Sequence, residues 1–262
     1  MRSPQQWRIL SLGALLGAAP FAIVLLCWYL APHFFSYPEY VLPALPAVGD
    51  RLLELIRDGS LWAYTVQSLY RLALGFLVGN ALAIPLGILL AVNRRASDVL
   101  LPPITFFQSI AGIAWAPLAV LWFGIGTGSV VFVIANTIFF GSIYNTIAGV
   151  RSIKPALWRA TQCHGASRTQ ILAHLILPGA LSEIILGLRT SMAYGWRALV
   201  AAEMIAGTDG LGYMTIEAVK FYATDTILLG MGLIGVLWLA MDRLIFTPLE
   251  HRTVVRWGMV QR

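Results

Sequence analysis

Residues 151–178 read Arg-Ser-Ile-Lys-Pro-Ala-Leu-Trp-Arg-Ala-Thr-Gln-Cys-His-Gly-Ala-Ser-Arg-Thr-Gln-Ile-Leu-Ala-His-Leu-Ile-Leu-Pro, a polar interruption in a chain that is otherwise strongly apolar. The interruption holds Arg151, Lys154, Arg159, His164, Arg168 and His174, with no acidic residue. A basic segment between apolar spans belongs on the cytoplasmic side, because Lys and Arg are retained there. It is too long and too regularly patterned for a simple turn. A partner on the cytoplasmic side is expected to use it.

Composition sets the class. Of 262 residues, 58% are apolar and 11% charged, whereas a soluble domain carries roughly 25% charged residues. Such a chain cannot clothe a water-facing surface, so an all-α membrane protein is expected. The net charge of +6 would suit nucleic acid, but the charges fall in short patches between apolar runs. That placement reports topology and argues against a phosphate-binding face. Cys27 and Cys163 offer neither a disulfide framework nor metal-ligand spacing and read as free thiols.

A bilayer core about 30 Å thick needs roughly 20 apolar residues in a helix. Six stretches are read as transmembrane helices, at about 9–30, 61–92, 99–123, 129–150, 179–206 and 226–246. Pro85 breaks the second and Pro117 lies inside the third. Arg2 and Arg8 precede the first, as in a signal peptide. Its apolar run exceeds the usual ~7–15 residues and no small-x-small site follows, so it is read as an uncleaved helix. Pro32, Pro38, Pro43 and Pro46 mark the first long loop as non-helical at its start. Asp50–Arg57 then has the apolar spacing of a short amphipathic helix at the surface.

With 151–178 inside, six spans place both termini on the cytoplasmic side. Twelve of the 18 Lys and Arg residues then face inwards, Arg51, Arg57 and Lys220 face outwards, and Arg71, Arg189 and Arg197 fall within spans. The outer loops carry Glu39, Asp50, Glu54, Asp58, Asp209, Glu217 and Asp225 instead. This asymmetry agrees with the positive-inside rule. No internal repeat or soluble domain is visible, so residues 1–262 read as one membrane domain. There is no Gly-x-x-x-x-Gly-Lys-Ser/Thr phosphate loop. Any pumping is therefore driven by an ion gradient or by another subunit.

Within the basic segment, Pro155–Cys163 opens with a proline, which the first turn of a helix favours. Ala166–Leu177 places Ile171, Leu172, Leu175 and Ile176 on one stripe. Gly165, between them, permits backbone angles that a Cβ forbids. The result is a helix–Gly–helix elbow along the inner membrane surface. It suits either an amphipathic linker resting on lipid headgroups or an element that docks a cytoplasmic partner.

The spacing Arg159-Ala160-Thr161, three residues, Gly165, nine residues, Leu175-Ile176-Leu177-Pro178 resembles the signature loop of binding-protein-dependent ABC importer permeases. That family's pattern is Glu-Ala-Ala, three residues, Gly, nine residues, Ile-x-Leu-Pro. Ala160, Gly165, Leu177 and Pro178 match; Arg159, Thr161 and Leu175 depart from it. Gly-Ala-Ser-Arg (165–168), Ile-Leu-Pro-Gly-Ala-Leu (176–181), Gly-Leu-Arg (187–189), Ala-Ala-Glu-Met-Ile-Ala (201–206) and Gly-Leu-Gly-Tyr-Met (210–214) are similar to the nitrate/sulfonate/taurine branch. So are Ser-Leu-Tyr-Arg (68–71) and Trp-Phe-Gly-Ile-Gly (122–126), and the likeness runs from about residue 60 to 246. The resemblance implies a type I importer fold in a bacterial cytoplasmic (inner) membrane, with two copies forming the channel. It implies an ATPase dimer docked inside, a soluble binding protein outside, and a small organic or inorganic anion as cargo. Arg159, Ala160, Thr161, His164, Gly165, Ala166, Ser167 and Arg168 are then the coupling helix and its turn. ATP and Mg are expected on the ATPase partner, and no cofactor or metal on this chain.

Ionisable residues inside spans are costly and are functional candidates. At 100° per residue, Arg189, Trp196 and Glu203 lie within about 40° of one face of the fifth span, with Arg197 about 80° from Arg189. Arg197 is a forked cationic donor suited to an oxyanion, unless it snorkels or pairs with Glu203. Arg189 fits a helix–helix tie as well as a pathway. Arg71 and Asn80, in the second span, are further candidates for the pathway or for interhelical hydrogen bonds.

Enzyme readings find no support. His33, His164, His174 and His251 all lie outside the apolar spans, where no membrane-embedded haem can use them. There is no Gly-x-Ser-x-Gly elbow and no metal-ligand cluster. The alternative to a permease subunit is a self-sufficient secondary transporter or channel. That class leads one to expect paired acidic residues deep in the spans and an inverted repeat. Glu183 and Glu203 lie towards opposite ends of the fifth span instead.

Overall fold

The computed structural model of the chain describes residues 19–20, 22–31, 38 and 40–250, and their regular structure is entirely helical. In order these are α1 (Ala22–Ala31), α2 (Leu45–Arg57), α3 (Ser60–Val92), α4 (Arg94–Gln108), a 3-10 turn (Gly112–Trp115) leading into α5 (Ala116–Phe123), α6 (Thr127–Arg151) and α7 (Pro155–Cys163). There follow α8 (Arg168–Ala206), α9 (Leu211–Lys220) and α10 (Thr224–Leu249). Among the described residues α3, α6, α8 and α10 are long and apolar enough to cross a bilayer, and α4 with α5 makes a fifth span if the pair is counted as one. Of the span expected over 9–30, residues 9–18 and 21 lie outside the described residues, and α1 is its second half.

The centre is a three-helix layer, with α6 between α3 and α8. Lipid tails are as apolar as leucine, so helices in a bilayer associate where small residues let backbones approach. A Cβ on Gly79 of α3 would lie 2.8 Å from the Ala135 carbonyl oxygen of α6. One on Gly187 of α8 would lie 2.6 Å from the Asn145 Cβ of α6. Ile134 and Ile138, fully buried, fill the space beside these contacts. On the side away from the elbow, Val48 and Leu55 of α2 pack with Leu211 and Met214 of α9 and Leu229 of α10.

Three expectations change. The third span is bent by 90° between α4 and the Gly112–Phe123 helix. Its break falls after Gln108, where the Ser109 hydroxyl caps the Phe106 carbonyl at 2.6 Å. Pro117 sits in the first turn of α5, where its missing N–H has no partner to lose. Pro46 likewise opens α2, so that surface helix begins at Leu45, ahead of the expected Asp50.

The third change concerns Pro178, read as the boundary between basic segment and span. Helix α8 runs straight through it. The preceding residues, Leu172–Ile176, widen into a π turn in which the Leu177 N–H reaches the Leu172 carbonyl. A proline cannot bond the carbonyl four residues back and its ring crowds it. The wider turn accommodates that clash without ending the helix. The same device recurs in α10, where the Thr247 N–H bonds the Asp242 carbonyl ahead of Pro248.

Candidate functional site

One candidate element is the elbow around Gly165. Helix α7 buries no residue completely, but Trp158 packs against Val150 and Ile176, at the ends of α6 and α8 next to the elbow. Gly165 has φ +68° with nothing within 4 Å of a would-be Cβ, so backbone geometry alone calls for glycine there. Ser167 then caps α8: its hydroxyl accepts from the Gln170 N–H (3.3 Å) while the Gln170 side chain accepts from the Ser167 N–H (2.8 Å). Arg159, His164 and Arg168 are exposed, and so is Ala160; Thr161 and Ala166 are half-buried. The Thr161 hydroxyl is spent on the Trp158 carbonyl at 2.9 Å. Between elbow and α3–α4 turn lies a cavity of about 680 Å³, lined in part by Arg94, Arg95, Gln162 and Arg168.

At the opposite end, distant stretches of sequence converge on one polar cluster. Ser68 and Arg71, three residues apart on α3, share a face, and both are fully buried. Glu203, near the end of α8, is fully buried opposite them. The Arg71 guanidinium donates from Nη1 to Glu203 Oε1 (3.1 Å) and to the Asp209 carbonyl (2.6 Å), and from Nε to Thr127 Oγ1 (3.3 Å). Its Nη2 donates to the Asp209 carboxylate. Glu203 also accepts from the Ser68 hydroxyl (2.8 Å) and the Gly212 N–H (2.9 Å). The Leu211 N–H closes the ring on Ser68 Oγ at 2.9 Å. Gly210, at φ +104°, admits the carboxylate: a Cβ there would lie 2.3 Å from Glu203 Oε1.

In this cluster Arg71 makes interhelical hydrogen bonds, one of its two expected roles, and Glu203, expected as a pathway candidate, is engaged by Arg71, Ser68 and the Gly212 N–H. Both are consumed by partners, and they bind α3, α8, α9 and the start of α6 together. Asn80 is a tie of the same kind: its Oδ1 lies 2.5 Å from Ser142 Oγ, which in turn lies 2.9 Å from Ser191 Oγ. Arg189 makes a bidentate pair with Asp242, Nε to Oδ1 and Nη2 to Oδ2 at 2.8 Å each, tying α8 to α10. Trp196 is buried, its ring centroid 6.4 Å from that of Trp238.

Arg197 stands apart. It is exposed, and its guanidinium carbon lies 5.6 Å from the Tyr194 ring centroid. It does not pair with Glu203, which Arg71 already engages. Leu186, Thr190, Tyr194 and Arg197, all exposed, recur every three or four residues and form an open stripe along α8. Trp196 and Glu203 lie on the packed side, so the shared face expected for Arg189, Trp196 and Glu203 is not the open one. Sequence reasoning missed Thr127 and Asp209 as partners of Arg71, Ser68 as partner of Glu203, and Asp242 as partner of Arg189. The signal was there in part: Ser-Leu-Tyr-Arg, Ala-Ala-Glu-Met-Ile-Ala and Gly-Leu-Gly-Tyr-Met all meet in the one cluster.

Comparison with known proteins agrees with this architecture. Residues 83–246 match the model of the family described as binding-protein-dependent transport system inner membrane component. The chain is 35% identical to the taurine transport system permease protein of Escherichia coli (strain K12), over 98% of this chain and 95% of that protein. It is 31% identical to a Bacillus subtilis (strain 168) permease protein named for aliphatic sulfonates transport, over 90% of this chain and 85% of that one. It is also 31% identical to the riboflavin transport system permease protein of Chloroflexus aurantiacus, over 90% and 87%. Among solved structures, an inward-facing MetNI methionine ABC transporter shares the fold, with a TM-score of 0.59 at 17% identity over 70% of this chain and 94% of that one. The chain therefore belongs to the family of binding-protein-dependent ABC importer permeases: it is a multi-pass, non-catalytic membrane subunit whose ATPase is a separate protein.

Proposed function

We propose that two copies of this chain form the translocation channel of an ATP-driven importer for a small anion of the sulfonate class, taurine among them. The observation that carries the reading is the continuity of α8. One unbroken helix, Arg168–Ala206, begins at the basic elbow and ends at the polar cluster, with Arg197 and its stripe between. A displacement of the elbow is therefore delivered to the stripe without an intervening joint. A cytoplasmic ATPase dimer, carrying ATP and Mg, engages α7 and the turn around Gly165. The exposed cations of the elbow and of the adjoining cavity suit an acidic docking surface.

A second copy sets its own α8 opposite this one, so that the two open stripes line the pathway from both sides. Arg197, nine residues from the outer end of α8, lies about 14 Å below it, where a forked cation matches a sulfonate's oxygens. A soluble binding protein delivers the anion to the outer face of a bacterial cytoplasmic membrane. Both termini lie inside, as the distribution of Lys and Arg supports. The anion class is supported by the names of the taurine and sulfonate relatives together with Arg197.

The test is co-expression with the ATPase encoded beside the chain, followed by ATPase assays in lipid for wild type and Gly165→Pro. Co-purification of an ATPase with wild type, and its loss in the variant, is the expected result. A chain that purifies alone and moves solute down a proton or sodium gradient overturns the reading.

A further inference from the structure

Helix α9 ends at Lys220 on the side of the molecule away from the elbow, and the rings of Phe221 and Tyr222, which follow it, stand clear of the chain. Phe221 is 75% exposed and Tyr222 81%. The turn that carries them is well formed. The Ala223 N–H donates to the Ala218 carbonyl at 3.0 Å and the Tyr222 N–H to the Val219 carbonyl at 3.2 Å. These are the two bonds of a Schellman helix stop, in which the residue at the position of Tyr222 takes the left-handed conformation and is usually glycine. Tyr222 has φ +53° and is the one non-glycine residue with positive φ among the described residues.

Nothing in the helix stop calls for a ring at this position. Glycine would make the same two backbone bonds without the crowding that a Cβ brings to left-handed backbone. Such departures persist where a side chain has work to do that the fold does not require. The turn is also braced. The Thr224 hydroxyl donates to the Tyr40 carbonyl at 2.6 Å, and Arg51 Nε donates to Thr226 Oγ1 at 3.0 Å. Tyr40 (65% exposed) and Val41 (51%) extend the apolar rim beside it, and Lys220 is exposed next to the rings.

We propose that Phe221 and Tyr222 form a rigid aromatic prong that anchors the soluble binding protein on the outer face, seated in an apolar hollow whose acidic rim meets Lys220. The proposal rests on the importer reading above and names the contact that reading leaves open. Aromatic side chains have only two χ angles, so on a braced backbone turn they give large contact area at low ordering cost, which is what docking of a folded partner rewards. A membrane anchor is the competing occupant. An interfacial tyrosine needs only to lie at headgroup depth, and ordinary helical backbone provides that without a left-handed residue.

The experiment uses the full complex in lipid nanodiscs with taurine-loaded binding protein, reading ATP hydrolysis against binding-protein concentration alongside the thermal midpoint. Tyr222→Gly relieves the backbone, so its midpoint is expected at or above wild type. The binding-protein concentration for half-maximal stimulation is expected to rise about tenfold or more, as for a central anchor. Phe221→Ser is expected to act in the same direction, and Tyr222→Phe to stay near wild type. A Tyr222→Gly complex with the wild-type concentration dependence overturns the prong. So does a variant that responds normally but melts lower in nanodiscs than in detergent, which assigns the rings to the bilayer. If wild type itself ignores the binding protein, the importer reading falls and takes the prong with it.

Discussion

Arg71 and Glu203 meet at 3.1 Å with neither side chain exposed, although 132 residues separate them in the chain. Each also bonds further groups of the cluster, Arg71 those of Asp209 and Thr127, Glu203 those of Ser68 and the Gly212 N–H. Removing one partner strands the other in a closed site. Arg71→Met is expected to cost about 3–5 kcal/mol, the range for breaking a buried pair, read as a lowered thermal midpoint. Glu203→Gln combined with Arg71→Met is expected to cost less than the sum of the two single changes. Strict additivity would show that the pair is not coupled.

Gly165 offers a cleaner separation of strain from contact, because nothing lies near its would-be Cβ. Gly165→Ala is expected to cost about 1–2 kcal/mol from the left-handed backbone alone. Gly165→Pro also deletes the N–H that bonds the Gln162 carbonyl at 3.0 Å and fixes φ on the wrong side of zero. The ATPase is expected to co-purify with the alanine variant in reduced amount and not at all with the proline variant. Equal yields from all three proteins would remove the elbow from the docking surface.

Arg197 is exposed, so its replacement bears on transport and hardly on folding. Arg197→Ala is expected to shift stability by no more than about 0.5 kcal/mol while lowering uptake of labelled taurine into proteoliposomes about tenfold or more. Arg197→Lys keeps the charge without the fork and is expected to fall between. Uptake at the wild-type rate in Arg197→Ala would take the residue out of the pathway.

The glycines divide into two groups by what surrounds them. Gly79→Ala forces a Cβ towards the Ala135 carbonyl and is expected to destabilise by about 1–3 kcal/mol through overpacking. Gly235, on α10, has nothing within 4 Å of its would-be Cβ. Gly235→Ala is expected to be neutral or to gain up to about 1 kcal/mol from helix propensity. Comparing the two melting curves checks the close approach of α3 and α6 directly.

Apolar length and interrupting charge were enough to read α3, α6, α8 and α10, because a bilayer imposes one length on every crossing helix. The elbow was equally legible, since a glycine between two patterned stretches is a local signal. The 90° break at Ser109 was not. The prolines of that span lie at 102, 103 and 117, and the chain turns between them at residues with no strong backbone preference. Nor did helical spacing identify partners. Arg71 and Arg189 are each matched by an acid on a different segment, and one helix's periodicity carries no information about which acid that is. The open stripe through Arg197 is a different case: it became visible only once the packed side of α8 was known.

The widened turns ahead of Pro178 and Pro248 separate the length of a helix from its heading. A π turn absorbs one residue more than an α turn while leaving the flanking segments in phase. Deleting a single residue between Leu172 and Ile176 therefore lets α8 close up as plain α-helix with α7 still pointing where it points now. Pro178→Ala alone, if the turn tightens at constant length, swings α7 through about 100° around the axis of α8. A lost residue is thus forgiven at this point of the chain, and a lost proline is not: the compass bearing of the elbow is held by a ring that lies outside the elbow itself.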